Sequence, residues 1–259
     1  MEKLRSDGSR PWIVAHRGDS HAHPENTLVA FDEALKLPVD GIELDVQLTR
    51  DGAPVVYHDR TLAKVGRQRA RVSGLGVAEL RTLDAGSWFD ERFRGARIPT
   101  LDEVLERHGP RTCLLIEIKA RPEAGGTRLL ERLTEATLEA LERHRLAEHV
   151  LLLSFDGTVL ERARERSPRL RTVQNLAKLP RRGGAAWRRL EPLFAISVDV
   201  RALTRRFVED AHERGKPVLT YTCNARQSLA RALTAGVDAI MTDRPGWLLG
   251  LLRSARGVS

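Results

Sequence analysis

Two histidines stand at the ends of apolar runs, His16 after WIVA and His58 after PVVY, and between them Ile42–Gln47 alternates apolar and polar side chains. An extended chain has a side-chain period of two, so Ile42, Leu44 and Val46 share one face and Glu43, Asp45 and Gln47 the other. Leu115–Lys119 repeats the pattern, with Ile116 and Ile118 on one face and Glu117 and Lys119 on the other. Carboxylates on buried strands repel one another and do not all ionise without a counter-charge. A hard divalent cation, which prefers carboxylate oxygen, supplies that charge. Glu43, Asp45 and Glu117 from adjacent strands are therefore expected to hold a divalent cation, Ca2+ or Mg2+, leaving positions for water and substrate. Lys119 beside them is placed to bind an anionic oxygen. Imidazole has an unperturbed pKa near neutrality, so two histidines such as His16 and His58 suit a general acid and a general base. Arg17 offers a planar fork that matches phosphate oxygens. The chemistry this set implies is attack on a phosphate ester, with cations stabilising charge on phosphorus.

Such residues converge only if the elements beneath them do. Short β-rich runs alternate with helical spacing along the chain, at Trp12–His16, Gly41–Gln47, Thr112–Ile118, Val150–Phe155, Arg171–Gln174, Phe194–Val198, Val218–Thr222 and Ala239–Thr242. Strands alternating with helices read as βαβ units, and eight of them close into a (β/α)8 TIM barrel. An open doubly wound sheet is the alternative, but no GxGxxG follows the first strand. Both acidic pairs fall at the carboxyl ends of their strands, where barrel enzymes build their sites. After the second strand, the TRDG turn at Thr49–Gly52 feeds PVVYH, which reads as a hairpin arm returning across the barrel end. A small inserted subdomain then occupies 60–98. It holds a short helix at Val77–Leu83 and the aromatics Trp88, Phe89 and Phe93, expected to form a satellite core, with a wall of the cleft as the other reading. Thr100 and Glu103 have capping-box spacing and open the next helix. The whole of 1–259 is expected to be one barrel domain.

Composition sets outer limits. The net charge is +8, with 43 Lys+Arg against 35 Asp+Glu, but the basic residues are interleaved with acidic ones, as in VLERARERSPRLR. That pattern reads as solvated helix faces rather than a nucleic-acid stripe. The positive sign still favours an anionic substrate. Cys113 and Cys223 make no disulfide framework, the N-terminus lacks a signal-peptide core, and no run has the length of a spanning helix. A cytoplasmic protein without stable membrane insertion is the expectation.

HRGDSHAHPENTLVAF, DGIELDVQLTRDGAPVVYHD, LDAGSWF, IPTLDEVL, IEIK and GVDAIMTDRP, in this order, resemble the glycerophosphodiester phosphodiesterase family over nearly the whole chain, the insertion included. The resemblance implies a barrel like that of the phosphoinositide-specific phospholipases. It also implies metal-dependent hydrolysis of small-molecule glycerophosphodiesters to sn-glycerol 3-phosphate and an alcohol. Carried over by residue, it places the metal on Glu43, Asp45 and Glu117, catalysis on His16 and His58, and phosphate contacts on Arg17 and Lys119. Glu25, in PENT, matches a family active-site position, although a plain helix cap by Glu25 and Asn26 is equally open. Tyr221, in LTYTCN, stands where the family usually has tryptophan and is expected to wall the substrate. The segment Lys64–Arg71 lacks the threonine- and glycine-rich run common there. His21 and His23 form an HxH pair that reads as a solvated loop, and Cys223 as a packed strand-end residue. A lysophospholipase D acting on lipids and a non-catalytic glycerophosphodiester-binding protein are the alternative functions.

Overall fold

The computed structural model describes residues 10–119, 126–180 and 185–256; the N-terminal residues 1–9, read above for a targeting signal, lie outside them. In chain order the elements are β1 (Trp12–His16), α1 (Leu28–Ala34), β2 (Gly41–Leu48), β3 (Pro54–Val56), α2 (Val77–Leu80), α3 (Leu101–His108), β4 (Cys113–Ile118), α4 (Gly126–Arg143) and β5 (Val150–Ser154). There follow α5 (Gly157–Arg166), β6 (Arg171–Leu176), α6 (Ala185–Leu190), β7 (Ala195–Asp199), α7 (Arg205–His212), β8 (Val218–Tyr221), α8 (Arg226–Ala235), β9 (Ala239–Thr242) and α9 (Pro245–Arg256). Strands β1, β2 and β4 to β9 pair in parallel, and β9 returns to β1, which closes a (β/α)8 barrel. Each agrees with its expected run to within about two residues, the usual scatter of element ends. The arm after the TRDG turn is β3, antiparallel to β2. No helix among the described residues is long and apolar enough to cross a membrane.

Alternation along the strands sorts side chains into two cores. Ile42, Leu44, Val46, Leu114, Ile116 and Ile118 point out and pack on the helix residues Leu101, Val104, Leu133 and Leu138. Val14, Leu115, Leu153, Val173, Leu219 and Met241 meet inside the barrel. Two residues further along the same inward rows stand His16, Glu117, Phe155, Asn175, Tyr221 and Asp243. The barrel interior therefore changes from apolar to largely polar at its carboxyl end, where packing no longer dictates residue type.

Helix caps and surface charge follow the sequence. Thr100 Oγ1 accepts from Glu103 N at 3.2 Å, and Glu103 Oε2 accepts from Thr100 N at 2.7 Å, completing the capping box of α3. Arginines pair with acids on solvated faces, as in Arg166–Glu142 and Arg205–Glu209. Such exposed pairs add little stability.

The insertion does carry a core, but of aliphatics rather than the expected aromatics. Val55, Leu62, Val72, Leu80, Leu83 and Ile98 are buried together. Trp88, 39% exposed, and Phe89 and Phe93 lie outside that cluster in an edge-to-face series that ends on His23 of the first loop, with Phe93 and His23 5.4 Å apart. Asp84 explains the LDAGSWF motif. Its carboxylate accepts from Gly86 N, Ser87 N and Gly95 N at 2.8, 3.0 and 3.0 Å. These backbone donors, Ser87 first, hold its carboxyl well below the usual range. A Cβ at position 86 would lie 1.9 Å from Phe93 O, so only glycine lets the two arms of this loop meet.

Candidate active site

Strand register assembles the acidic residues. β1 and β2 pair with His16 opposite Glu43, and β2 and β4 with Asp45 opposite Glu117. Glu43, Asp45 and Glu117 are all buried and offer oxygen atoms within 4.8 Å of one another. Asp45 Oδ2 lies 3.1 Å from Arg17 Nε and accepts from Asn26 Nδ2 at 2.8 Å. Its Oδ1 is 2.7 Å from Lys119 Nζ, in ion-pair range but off the hydrogen-bonding direction. Glu117 accepts from Lys119 Nζ at 2.6 Å and from Asn175 Nδ2 at 3.1 Å. Glu43 Oε2 accepts from Arg17 N at 3.2 Å, while Oε1 is buried without a hydrogen-bond partner among the described residues.

The electrostatics show what this cluster lacks. Burial, then repulsion from Asp45 and Glu117, pushes the Glu43 carboxyl well up, and burial also raises Glu117. Burial opposes the ionisation of Asp45 as well, but Lys119 and Arg17 override it and hold its carboxyl far below the usual range. The same attraction overcomes burial in Lys119 and Arg17 and keeps both charged. Two cations thus answer three buried carboxylates, and two carboxylate oxygens, Glu43 Oε1 and Asp45 Oδ1, have no hydrogen-bond donor among the described residues. An all-oxygen donor set with such a deficit fits a hard divalent cation.

Both histidines lie close enough to act on the charge of Asp45. His16 Nδ1 is 2.5 Å from Asp243 Oδ1, leaving Nε2 on the side of Glu43 at 3.8 Å. Burial opposes ionisation of Asp243, but His16, Asn224 and Arg17 hold its carboxyl low. His58 Nδ1 is 2.8 Å from Asp59 Oδ1, and that bond, ahead of others from Lys64, brings the Asp59 carboxyl down to about 2. Each imidazole therefore has a carboxylate on Nδ1 that fixes its tautomer and ring orientation. The backbone cooperates at Gly18, whose φ of 85° and whose approach to Ala30, 2.6 Å from a would-be Cβ, fold the loop after His16 onto α1.

Glu25 is not the cap of α1. That role belongs to Thr27, whose Oγ1 accepts from Ala30 N at 3.3 Å. Glu25 instead accepts from Arg17 Nη1 at 3.0 Å and Lys64 Nζ at 2.8 Å, and forms with His58 and Asp59 a second group of close ligand-type atoms. Tyr221 is half-buried; its hydroxyl donates to Leu176 O at 3.0 Å, and its ring meets the exposed Phe155 edge-on at 6.1 Å. Lys64–Arg71 supplies Lys64 to the site. His21 is exposed and His23 rests on Asp19 and Phe93, and neither histidine belongs to a close group of three ligand-type residues among the described residues. Cys223 is fully buried and its thiol is pushed up to about 12, consistent with packing.

Of four residues that support the site, three were not singled out from the sequence, and Asn26 was read only as a possible helix cap, a role that Thr27 takes. Asn26 clamps Asp45, giving Nδ2 to its carboxylate and taking its N–H on Oδ1 at 3.3 Å. Asn175 holds Glu117, Asp243 holds His16, and Asp59 holds His58. The inward parity of β6 and of the row leading to Asp243 contains the signal for two of them; the Asn26 and Asp59 contacts depend on loop paths.

Known proteins resemble this chain over most of its length. The model described as the glycerophosphoryl diester phosphodiesterase family matches residues 16–247. A glycerophosphodiester phosphodiesterase of Caldanaerobacter subterraneus is 36% identical over 245 residues, 93% of this chain and 97% of that protein. One of Bacillus subtilis is 32% identical over 250 residues, 90% and 83% of the two chains. A phosphodiesterase structure from Oleispira antarctica, in complex with the product sn-glycerol-3-phosphate, superposes with a TM-score of 0.83 at 29% identity, covering 94% of this chain and 97% of that one. Match length, identity and shared barrel all lead to one assignment: the chain belongs to the glycerophosphoryl diester phosphodiesterase family.

Proposed function

We propose that the protein hydrolyses small glycerophosphodiesters, such as glycerophosphocholine or glycerophosphoethanolamine, to sn-glycerol 3-phosphate and an alcohol. The supporting observation is the buried trio Glu43, Asp45 and Glu117 flanked by Arg17, Lys119 and two carboxylate-oriented imidazoles. Glu43, Asp45 and Glu117 hold Ca2+ or Mg2+, which when bound withdraws electron density from the phosphoryl group. Arg17 and Lys119 bind the phosphate oxygens. One of His16 and His58 takes the proton of the glycerol 2-hydroxyl as its oxygen attacks phosphorus, and the other protonates the departing alcohol oxygen. Water then opens the cyclic phosphate with the two proton roles exchanged. Tyr221 and Glu25 border the substrate. Turnover of a 2-deoxyglycerol analogue at an undiminished rate would exclude this cyclic route.

Among the described residues the insertion exposes one large apolar side chain, Trp88, which favours soluble head-group esters over lysophospholipids. The test is a panel of glycerophosphodiesters and lysophosphatidylcholine, with added Ca2+, Mg2+ or chelator, reading release of sn-glycerol 3-phosphate or choline. Hydrolysis of the small esters that is abolished by chelator is expected. Full activity in chelator, or preference for the lipid, would overturn the reading.

The Asp243 contact makes a separate prediction. Asp243→Asn keeps the size but removes the negative charge and replaces one acceptor oxygen by an NH2 donor, so that His16 can be held in the wrong tautomer, and kcat is expected to fall by about 10- to 100-fold with KM nearly unchanged. A variant with wild-type kcat would show that His16 needs no orienting group.

A further inference from the structure

The insertion places a charged side chain, Lys64, between two carboxylates and an aromatic ring beside the candidate active site. Lys64 Nζ lies 2.8 Å from Glu25 Oε1, 3.0 Å from Asp59 Oδ2 and 4.8 Å from the ring centroid of Trp88. The Trp88 ring is pinned by its Nε1, which donates to Ala85 O at 2.9 Å, and by the edge contact with Phe89. Asp59 also bonds His58, so this group adjoins the candidate proton-transfer pair. Two carboxylates beside an indole face are what recognises an ammonium or quaternary ammonium group. Here the protein's own ammonium satisfies all three.

We infer that Lys64 determines leaving-group specificity, acting as an internal competitor that disfavours choline- and ethanolamine-type head groups relative to uncharged polyol esters. The inference rests on the hydrolytic reading above but revises its substrate examples: choline and ethanolamine esters become the poorer substrates, and esters of a neutral, hydroxyl-rich alcohol the preferred ones. Two effects point the same way. A cationic head group meets an occupied ring and already neutralised carboxylates, and it also meets like-charge repulsion from Lys64 itself. A neutral polyol meets neither, and the ion-paired groups remain able to hydrogen-bond its hydroxyls.

The experiment compares kcat/KM for bis(glycero)phosphate and glycerophosphocholine in the wild type, Lys64→Met, Lys64→Arg and Lys64→Met with Trp88→Leu. The wild type is expected to favour the neutral ester. Lys64→Met keeps the apolar stem and should move the ratio toward choline by about fivefold or more, mostly in KM. Lys64→Arg should restore the wild-type ratio, and Trp88→Leu should remove part of the gain. Tetramethylammonium binding, followed by tryptophan fluorescence, gives a readout independent of turnover: Lys64→Met should bind it and the wild type should not. An equal loss on both substrates, or tetramethylammonium binding no tighter in Lys64→Met, would overturn the inference. If the wild type hydrolysed neither ester, the hydrolytic reading would fail instead, while the tetramethylammonium measurement would still decide the role of Lys64.

Discussion

His16→Ala and His58→Ala should each lower kcat on a glycerophosphodiester by about 10²- to 10⁴-fold, the usual contribution of a positioned general acid or base. The geometry explains why the loss should fall on kcat. Neither imidazole belongs to an apolar cluster; both side chains are partly exposed, at 16% and 28%, and each is held by a carboxylate on Nδ1. Their removal leaves Arg17, Lys119 and the acidic trio to bind phosphate, so KM should change little. If the two side chains act in one concerted step, the double variant should lose far less than the product of the single losses. Activity within threefold of wild type in either variant, with the fold confirmed by circular dichroism, would remove that histidine from the reaction.

The acidic trio should reveal itself in stability as well as in rate. Three buried carboxylates with two oxygens lacking a hydrogen-bond donor among the described residues destabilise the fold when no divalent cation answers them. Adding Ca2+ or Mg2+ at about 100 times its Kd should therefore stabilise the protein by about 2.7 kcal/mol, which raises Tm by about 5 °C or more in a chain of this size. Glu43→Gln relieves the repulsion from Asp45 and Glu117 but removes a ligand. It should raise Tm in chelator by a few degrees, abolish most of the metal-dependent rise, and lower activity by about 10²-fold or more. Scanning calorimetry with and without cation separates these effects. A Glu43→Gln protein that kept the full metal-dependent shift would exclude Glu43 as a ligand. A lower Tm in chelator would mean that Glu43 stabilises the fold and is not frustrated within it.

How far the sequence could be read depended on how local each determinant is. Alternation over Ile42–Gln47 and Leu115–Lys119 told which side chains share a face, because strand geometry alone dictates it. The repeat of strands and helices told the barrel, and the capping box of α3 was visible because its two residues lie three apart. The aromatics of the insertion were misplaced because their composition matches a core as well as a rim. Phe93 turns to His23, a residue far away in sequence, and nothing in either segment announces that contact.

By itself, then, the sequence determined the fold class and the chemical types available at the carboxyl ends of the strands, since both follow from side-chain periodicity and hydrophobic burial. Only the tertiary structure decided which groups touch. Closure of β9 on β1 brought Asp243 to His16 across 227 positions, the Asp45–Glu117 register set the carboxylates against each other, and the path of the insertion put Lys64 between Glu25 and Asp59. Electrostatic coupling falls off with distance and rises with burial, and both are properties of the closed barrel rather than of any segment of the chain.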